Sequence, residues 1–202
     1  METAYFYTSM NNTSVIHTIN RYITLEPAEA DYLLSVFMPR ALPQGELIEK
    51  TGDPTRYFIY VNSGCLMTYF TDQTGSDHVI QFATTGWWTG DLHSFTRQVP
   101  SIYSTRALAE SHVMLLPKVS MDQVLEEIPK LERFFRITFQ NSLVTHQHRI
   151  IQHYTATAEE RYIMFREKYT SLEQYVPLKY IASYLGITPE FLSKIRRKLM
   201  EK

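Results

Sequence analysis

The sequence predicts an α+β chain in which an antiparallel sandwich or barrel, about residues 39–117, is flanked by helices on both sides. Three observations predict it. Short apolar or alternating runs between Pro39 and Pro117 are broken by turn residues at close intervals: ELIEK before TGDPT, RYFIYVN before SG, CLMTYF before TDQTGSD, HVIQFA before TTG, and YSTRALA before ESHVMLLP. Turn chemistry at that spacing belongs to antiparallel sheets. No helical pattern of about 10–15 residues separates the runs, which argues against a doubly wound βαβ fold. After Pro117 the apolar residues recur at three and four instead of two, and they do so to the end of the chain.

The elements follow in order. Residues 1–13 read as a loose tail. Val15 to Phe37 reads as helical, with Ile16, Ile19 and Ile23 on one stripe and Leu33, Val36 and Phe37 on another; Thr24 is a candidate cap and Pro27 suits a first turn. Ser120–Ile128 reads as a short helix stopped by Pro129. Lys130 to about Tyr154 contains neither Pro nor Gly and reads as one long helix. Along it Phe139, Leu143, His146, Ile150 and His153 step by four and three, the spacing of a coiled-coil contact. Phe134, Phe135 and Ile137 add apolar surface in other directions, and a helix apolar on more than one side needs more than one partner surface. One face is therefore expected on the β domain and the other against a second copy, as a C2 homodimer. Thr157 and Glu160 fit a capping box opening a further helix.

Composition excludes several function classes. The 202 residues hold 20 basic and 21 acidic side chains and 44% apolar residues, a globular composition. Cys65 is the only cysteine, which rules out an intrachain disulfide, a four-cysteine zinc site or a thiolate-held cluster within one chain. With no signal-peptide pattern and no membrane-length apolar run, a cytoplasmic protein without a membrane partner is expected. The net charge of −1 hides an asymmetry: residues 194–202 hold five basic side chains against Glu201 alone, a net +4 that leaves −5 on the rest. A basic terminus on an acidic body suits a polyanion partner.

The segment VPLKYIASYLGITPEFLSKIRRKL, residues 176–199, is the most informative stretch. A first helix is predicted from about Leu178 to Leu185, with Ile181, Ala182 and Leu185 inside. Gly186 makes the turn, Thr188 caps a second helix, and Pro189 opens it. Leu192, Ile195 and Leu199 supply the buried stripe of that second helix. Ala182 is small enough for two helices to cross tightly, and this joint spacing is that of a helix-turn-helix. The outer face carries Glu190, Ser193, Lys194 and Arg197, side chains suited to base edges and phosphates in a major groove. Lys179 and Lys198 are placed for phosphates. For any one of these residues a solvated polar face is an equal alternative; taken as a set behind the cap, double-stranded DNA is the better reading.

At this point the chain resembles the Crp/Fnr family of bacterial transcription regulators. Residues 43–70, PQGELIEKTGDPTRYFIYVNSGCLMTYF, are similar to the opening strands of the family's cyclic-nucleotide-binding β-roll, with Gly45-Glu46, Gly52-Asp53 and Gly64 at turn positions. Thr89-Gly90-Asp91-Leu92 resembles the start of its phosphate-binding cassette, and Arg106-Ala107 the end. The resemblance implies an N-terminal antiparallel β-roll or jelly-roll sensor domain with N-terminal helices (residues 1–129), a dimerisation helix (130–154) and a helix-turn-helix domain (155–202). It also implies RNA polymerase as a partner. It places an effector pocket at Trp88, Gly90, Asp91, Leu92, Ser101, Ile102 and Tyr103, bordered by Trp87, with His146 and Gln147 reaching in from the long helix. For the tryptophans, plain core packing is the favoured alternative; for His146, it is a hydrogen-bonded core or interface role.

Two departures from the family pattern matter. Its cyclic-nucleotide binders set Arg and then Ser or Thr against the cyclic phosphate, whereas Ser101 and Ile102 stand there in this chain. A buried phosphate without a cation carries a heavy desolvation cost. Asp91, in place of the usual Glu, reaches less far. Cyclic AMP is therefore not expected to bind in the family's usual way, no cofactor is expected, and another small-molecule effector stays open. The family also continues past its recognition helix into a β-hairpin wing; three residues follow Leu199, so a full wing is not expected and Lys198 and Lys202 would supply phosphate contacts.

The sequence is expected to encode a dimeric DNA-binding regulator and not an enzyme. One alternative is a metalloenzyme of cupin type. His146-Gln-His148 hints at a metal pair, but on a helix positions i and i+2 diverge by about 200°, and no metal site is expected. The other alternative is a ligand-binding or scaffolding β-roll protein that does not bind DNA.

Overall fold

The computed structural model describes residues 15–170 and 172–201; the loose tail expected over residues 1–13, and Lys202, lie outside them. A helical segment α1 (15–20) and α2 (Pro27–Val36) precede the strands. The cap of α2 is Glu26, not Thr24: Pro27 occupies the first turn, and the Glu26 N–H donates to Glu29 Oε2 at 2.6 Å. Proline must sit at the first helical position, so the residue directly before it becomes the cap.

Among the described residues, eight strands form two four-stranded sheets. The first has the order β1 (Met38–Leu42), β8 (Ser111–Pro117), β3 (Tyr57–Ser63), β6 (Trp88–Thr89). The second has the order β2 (Leu47–Glu49), β7 (Ser104–Ala107), β4 (Cys65–Thr71), β5 (Asp77–Thr84). The six runs read from the sequence all appear as strands. β1 and β6 were not anticipated, and neither was α3 (Leu92–Arg97). Among the described residues β1 pairs with β8 and no other strand, and an edge strand of this kind tolerates Pro39.

The first sheet is apolar on both faces, and the alternation along its central strands shows why. Phe58 and Tyr60 of β3 join Met114 and Leu116 of β8 in one core with the surrounding helices, whereas Ile59 and Val61 join Val113 and Leu115 in a second core with Leu42, Leu66, Ala83 and Ala107. A period of two sends successive side chains to opposite faces. The first core is dominated by aromatic rings. Trp88 stacks on Phe58 with centroids 4.9 Å apart, and Tyr60, Phe134 and Phe135 surround it.

After β8 come α4 (Lys118–Glu127) and the 26-residue α5 (Lys130–Thr155), then α6 (Ala158–Lys168), a 3₁₀ turn (Leu172–Gln174), α7 (Leu178–Leu185) and α8 (Pro189–Met200). Thr157 and Glu160 form the capping box expected for α6. The chain groups into two compact units: residues 1–68 with 82–139, and residues 69–81 with 140–202. The tip of the β4–β5 hairpin thus groups with the C-terminal helices. The Ser183 hydroxyl of α7 donates to the Asp77 carbonyl at 2.8 Å and accepts from the Val79 N–H at 2.9 Å. Both groups lie where the hairpin opens, so one small side chain satisfies a donor and an acceptor of its backbone.

Candidate functional site

Two regions carry the candidate residues. The first is the α7–α8 pair. Gly186 ends α7 at φ 68°, and the Ile187 N–H reaches back to the Ala182 carbonyl at 3.0 Å. This left-handed closure is open to glycine at low cost. Thr188 caps α8 by accepting from the Phe191 N–H at 3.2 Å, and Pro189 is its first residue. Ile181, Ala182, Leu185, Leu192 and Ile195 are buried where the two helices pack.

That packing leaves the other face of α8 to solvent. Glu190, Ser193, Lys194, Arg197 and Lys198 are all exposed, as is Lys179 on α7. They differ in their engagements. The Ser193 hydroxyl donates to the Pro189 carbonyl at 2.9 Å. Lys198 is ion-paired with Glu159 of α6, and Lys179 lies 4.8 Å from the centre of the Tyr180 ring. Glu190 is held below the usual carboxylate range by its own backbone N–H and then by the Thr188 hydroxyl.

The second region is the turn after β6 with its neighbours. Asp91 caps α3: one carboxylate oxygen accepts from the Ser94 N–H at 3.1 Å and the other from the Ser101 hydroxyl at 2.8 Å. Both residues are buried. Trp88 sits in the aromatic core, while Leu92 and Ile102 are exposed. Trp87 packs against the second core. His146 and Gln147 belong to the other unit, where the His146 Nδ1 contacts the Ser142 carbonyl at 2.7 Å.

Sequence reasoning missed the most perturbed group of this region, Glu49 on β2. Its Oε2 accepts from the Thr105 hydroxyl at 2.7 Å; Thr105 and Thr68 are 3.0 Å apart, as are Thr68 and Thr89. Each hydroxyl has one proton, so donation runs from Thr89 through Thr68 and Thr105 to the carboxylate. Among the described residues, the sealed Oε1 of Glu49 and the Thr55 hydroxyl have no hydrogen-bond partner. Burial pushes the Glu49 carboxyl up to about 7; the Thr105 hydroxyl offsets part of the rise, and the charge of Asp91 adds to it. An acid at an inward strand position is a legible signal, but β2 is too short for its alternation to reveal a direction.

Residues 39–128 match the family model described as the cyclic nucleotide-binding domain. The chain is 25% identical over 192 residues to the Anaerobic regulatory protein of Pasteurella multocida, covering 88% of this chain and 69% of that one. It is 26% identical over 188 residues to the Fumarate and nitrate reduction regulatory protein of Vibrio cholerae, covering 85% and 73%. The fold is similar to that of FixK2 from Bradyrhizobium japonicum, with a TM-score of 0.71 at 18% identity over 82% of this chain and 85% of that one. These matches agree with the resemblance to Crp/Fnr regulators carried by the sequence.

Against the Crp/Fnr pattern, the position where cyclic-nucleotide binders place an arginine holds Ser101, whose hydroxyl is spent on Asp91. Ile102, at the adjoining hydroxyl position, is 56% exposed and brings no donor. Asp91 and Glu49 both stand here, so a phosphate would meet the Asp91 carboxylate and, above about pH 7, that of Glu49 as well. On the long helix α5, the residues expected at a dimer seam divide. Phe139 packs on Phe58 with centroids 5.6 Å apart, and His153 lies close to Gly186. Leu143 and Ile150 stay exposed. Among the described residues there is no cluster of three or more His, Cys, Asp or Glu side chains able to hold a metal, and no helix is long and apolar enough to cross a membrane.

Proposed function

We propose that this chain is a dimeric, sequence-specific DNA-binding transcription regulator whose β-roll does not take cyclic AMP in the family's usual way, and that it is not an enzyme. The observation that carries the reading is the exposed rim of α8, Glu190, Ser193, Lys194 and Arg197, standing clear of a tight crossing around Ala182. A recognition helix needs that arrangement: apolar residues hold it down while its polar face enters the groove. The named relatives are regulators, in keeping with it. RNA polymerase is the partner this implies, in the cytoplasm.

Selection from random duplexes should return an inverted repeat with half-sites about 34–36 Å apart or a multiple of that. Arg197→Ala should then weaken binding to the selected duplex by about 1–3 kcal/mol in gel-shift titrations. Unchanged affinity removes Arg197 from the contact set. A chain that leaves all duplexes free at low salt returns the assignment to a ligand-binding or scaffolding protein.

The dimer seam proposed on α5 is centred on Leu143, Ile150, Ile151 and Tyr154, which are 59%, 55%, 54% and 86% exposed. Val144 and Gln147 flank the same face at helical spacing. Phe139 and His153 are drawn off by contacts within the chain, which moves the seam by part of a turn from the one read in the sequence. Ile151→Glu should raise the dimer dissociation constant by about a hundredfold or more, because the twofold axis buries the charge twice. Sedimentation equilibrium decides it, and a variant as dimeric as the parent places the seam elsewhere.

For cyclic AMP, calorimetry should register no binding in the micromolar range. The support is the Asp91–Ser101 bond standing where a cation would be needed. A micromolar or tighter constant overturns this part of the reading.

A further inference from the structure

The second unit contains a cavity of about 240 Å³ between α5, α6 and α7. Its lining includes Arg149, Arg161, Lys168, His148 and His153, and not one carboxylate. The two guanidinium groups are fixed by neutral partners. Arg149 donates to the Ile80 carbonyl and lies 4.9 Å from the centre of the Tyr184 ring. Arg161 donates to the Ala156 carbonyl at 2.7 Å and to the Leu185 carbonyl at 3.3 Å. Among the described residues neither arginine makes an ion pair. Carbonyls orient these cations without cancelling their charge. The excess is felt by His153, held below the usual histidine range by burial and then by the charges of Arg161 and Arg149.

The lining also offers a flat aromatic surface beside Thr145 and Gln152. Phe165, Tyr169 and Tyr184 form a mutual cluster with centroids 5.0–6.0 Å apart, and Lys168 Nζ lies 5.2 Å from the centre of the Tyr169 ring. A cation would be repelled here, and a neutral ligand would leave the charges uncompensated. An oxyanion would gain charge-assisted bonds from guanidinium forks already held in place; Arg161 spends two of its five N–H groups on carbonyls. The volume lies below the roughly 300–1,000 Å³ of pockets for drug-sized ligands, so the ligand is small.

We propose that this cavity binds a small organic oxyanion, a carboxylate or phosphate ester carrying a single planar ring, with the oxyanion at Arg161 and Lys168 and the ring against Tyr169 and Tyr184. The cavity lies within the second unit, and its binding does not depend on the DNA reading. It does border the turn of the helix pair. Leu185 is the last residue of α7, and a Cβ placed on Gly186 would meet His153 at 3.0 Å. Occupancy would therefore press on the α7–α8 turn.

The test is calorimetry of the full chain with phenyl phosphate and benzoate as probes, benzamidine as the cationic control and benzyl alcohol as the neutral one. One of the two anions should bind saturably at one site per chain, and neither control should. Lys168→Gln, at an exposed position, should weaken binding about tenfold, and Gln152→Glu, which sets a carboxylate on the wall, should abolish it. Histidine NMR supplies a readout independent of heat: the bound anion should raise the His153 pKa. The proposal is overturned if neither anion binds, if the controls bind equally well, or if binding survives Gln152→Glu and leaves His153 unmoved.

Discussion

Trp88→Ala is expected to destabilise the protein by roughly 3–5 kcal/mol, the range for emptying a large aromatic site in a packed core. Trp88 is 9% exposed and contacts rings from several elements: Phe58 at 4.9 Å, Tyr60 at 5.1 Å, Phe135 at 5.7 Å, Phe134 at 6.1 Å and Phe37 at 6.2 Å between centroids. These come from β3, the start of α5 and the end of α2, so the indole sits where three pieces of chain meet in one core. Aromatic pairs in offset or edge geometry add about 0.5–1.5 kcal/mol each beyond the buried area, and the surrounding rings are too constrained to close the gap. Urea denaturation with near-ultraviolet circular dichroism measures the loss. A cost below about 1 kcal/mol would mean that the indole is the wall of a hollow pocket, as the cassette resemblance suggests, and not the centre of a core.

Glu49→Gln is expected to stabilise the protein at pH 8 by on the order of 2–3 kcal/mol and to do nothing near pH 4. The carboxyl stands near 4.5 in the unfolded chain and is pushed up to about 7 in the fold, chiefly by burial. Below about pH 4.5 it is protonated in both states and exerts no pH-linked effect. As the pH rises toward 7 the unfolded chain has released the proton and the fold still holds it, so the stability that proton supplies declines. Beyond pH 7 the loss is complete, about 1.4 kcal/mol for each pKa unit of the difference. Glutamine cannot ionise and its carbonyl can still accept from Thr105, so the variant should lack this decline. Chemical denaturation at pH 4.5, 6 and 8 gives the comparison. A difference that is the same at all three values would show that Glu49 does not titrate in this range.

The surroundings of Glu49 and Asp91 show how far the candidate site is legible in the sequence. Asp91 and Ser101 were identified from the cassette pattern, and they do meet, at 2.8 Å. Their bond could not be foreseen, because the pattern relates positions to a ligand and says nothing of what they do to each other. Glu49 was passed over because it comes from a three-residue strand, and its partner Thr105 is 56 positions away. The dimer seam shows a similar limit. A four-three spacing marks Phe139, Leu143, His146, Ile150 and His153 as one stripe, but a stripe does not say which of its members the rest of the chain will claim.

The features legible in the residues alone are local: the alternating strands, the proline-bounded helices, the cap at Thr157, and the α7–α8 turn with its glycine, threonine and proline in order. Each is set by backbone geometry and side-chain period over a few residues, which neighbours in sequence carry in full. Which charges go uncompensated is settled by long-range packing. Arg149 and Arg161 look like ordinary helix-surface cations in the sequence, and Glu49 like an ordinary strand acid. Their environments are made by carbonyls, rings and hydroxyls brought from distant positions, and the free energy of a charge depends on what surrounds it, not on its neighbours along the chain.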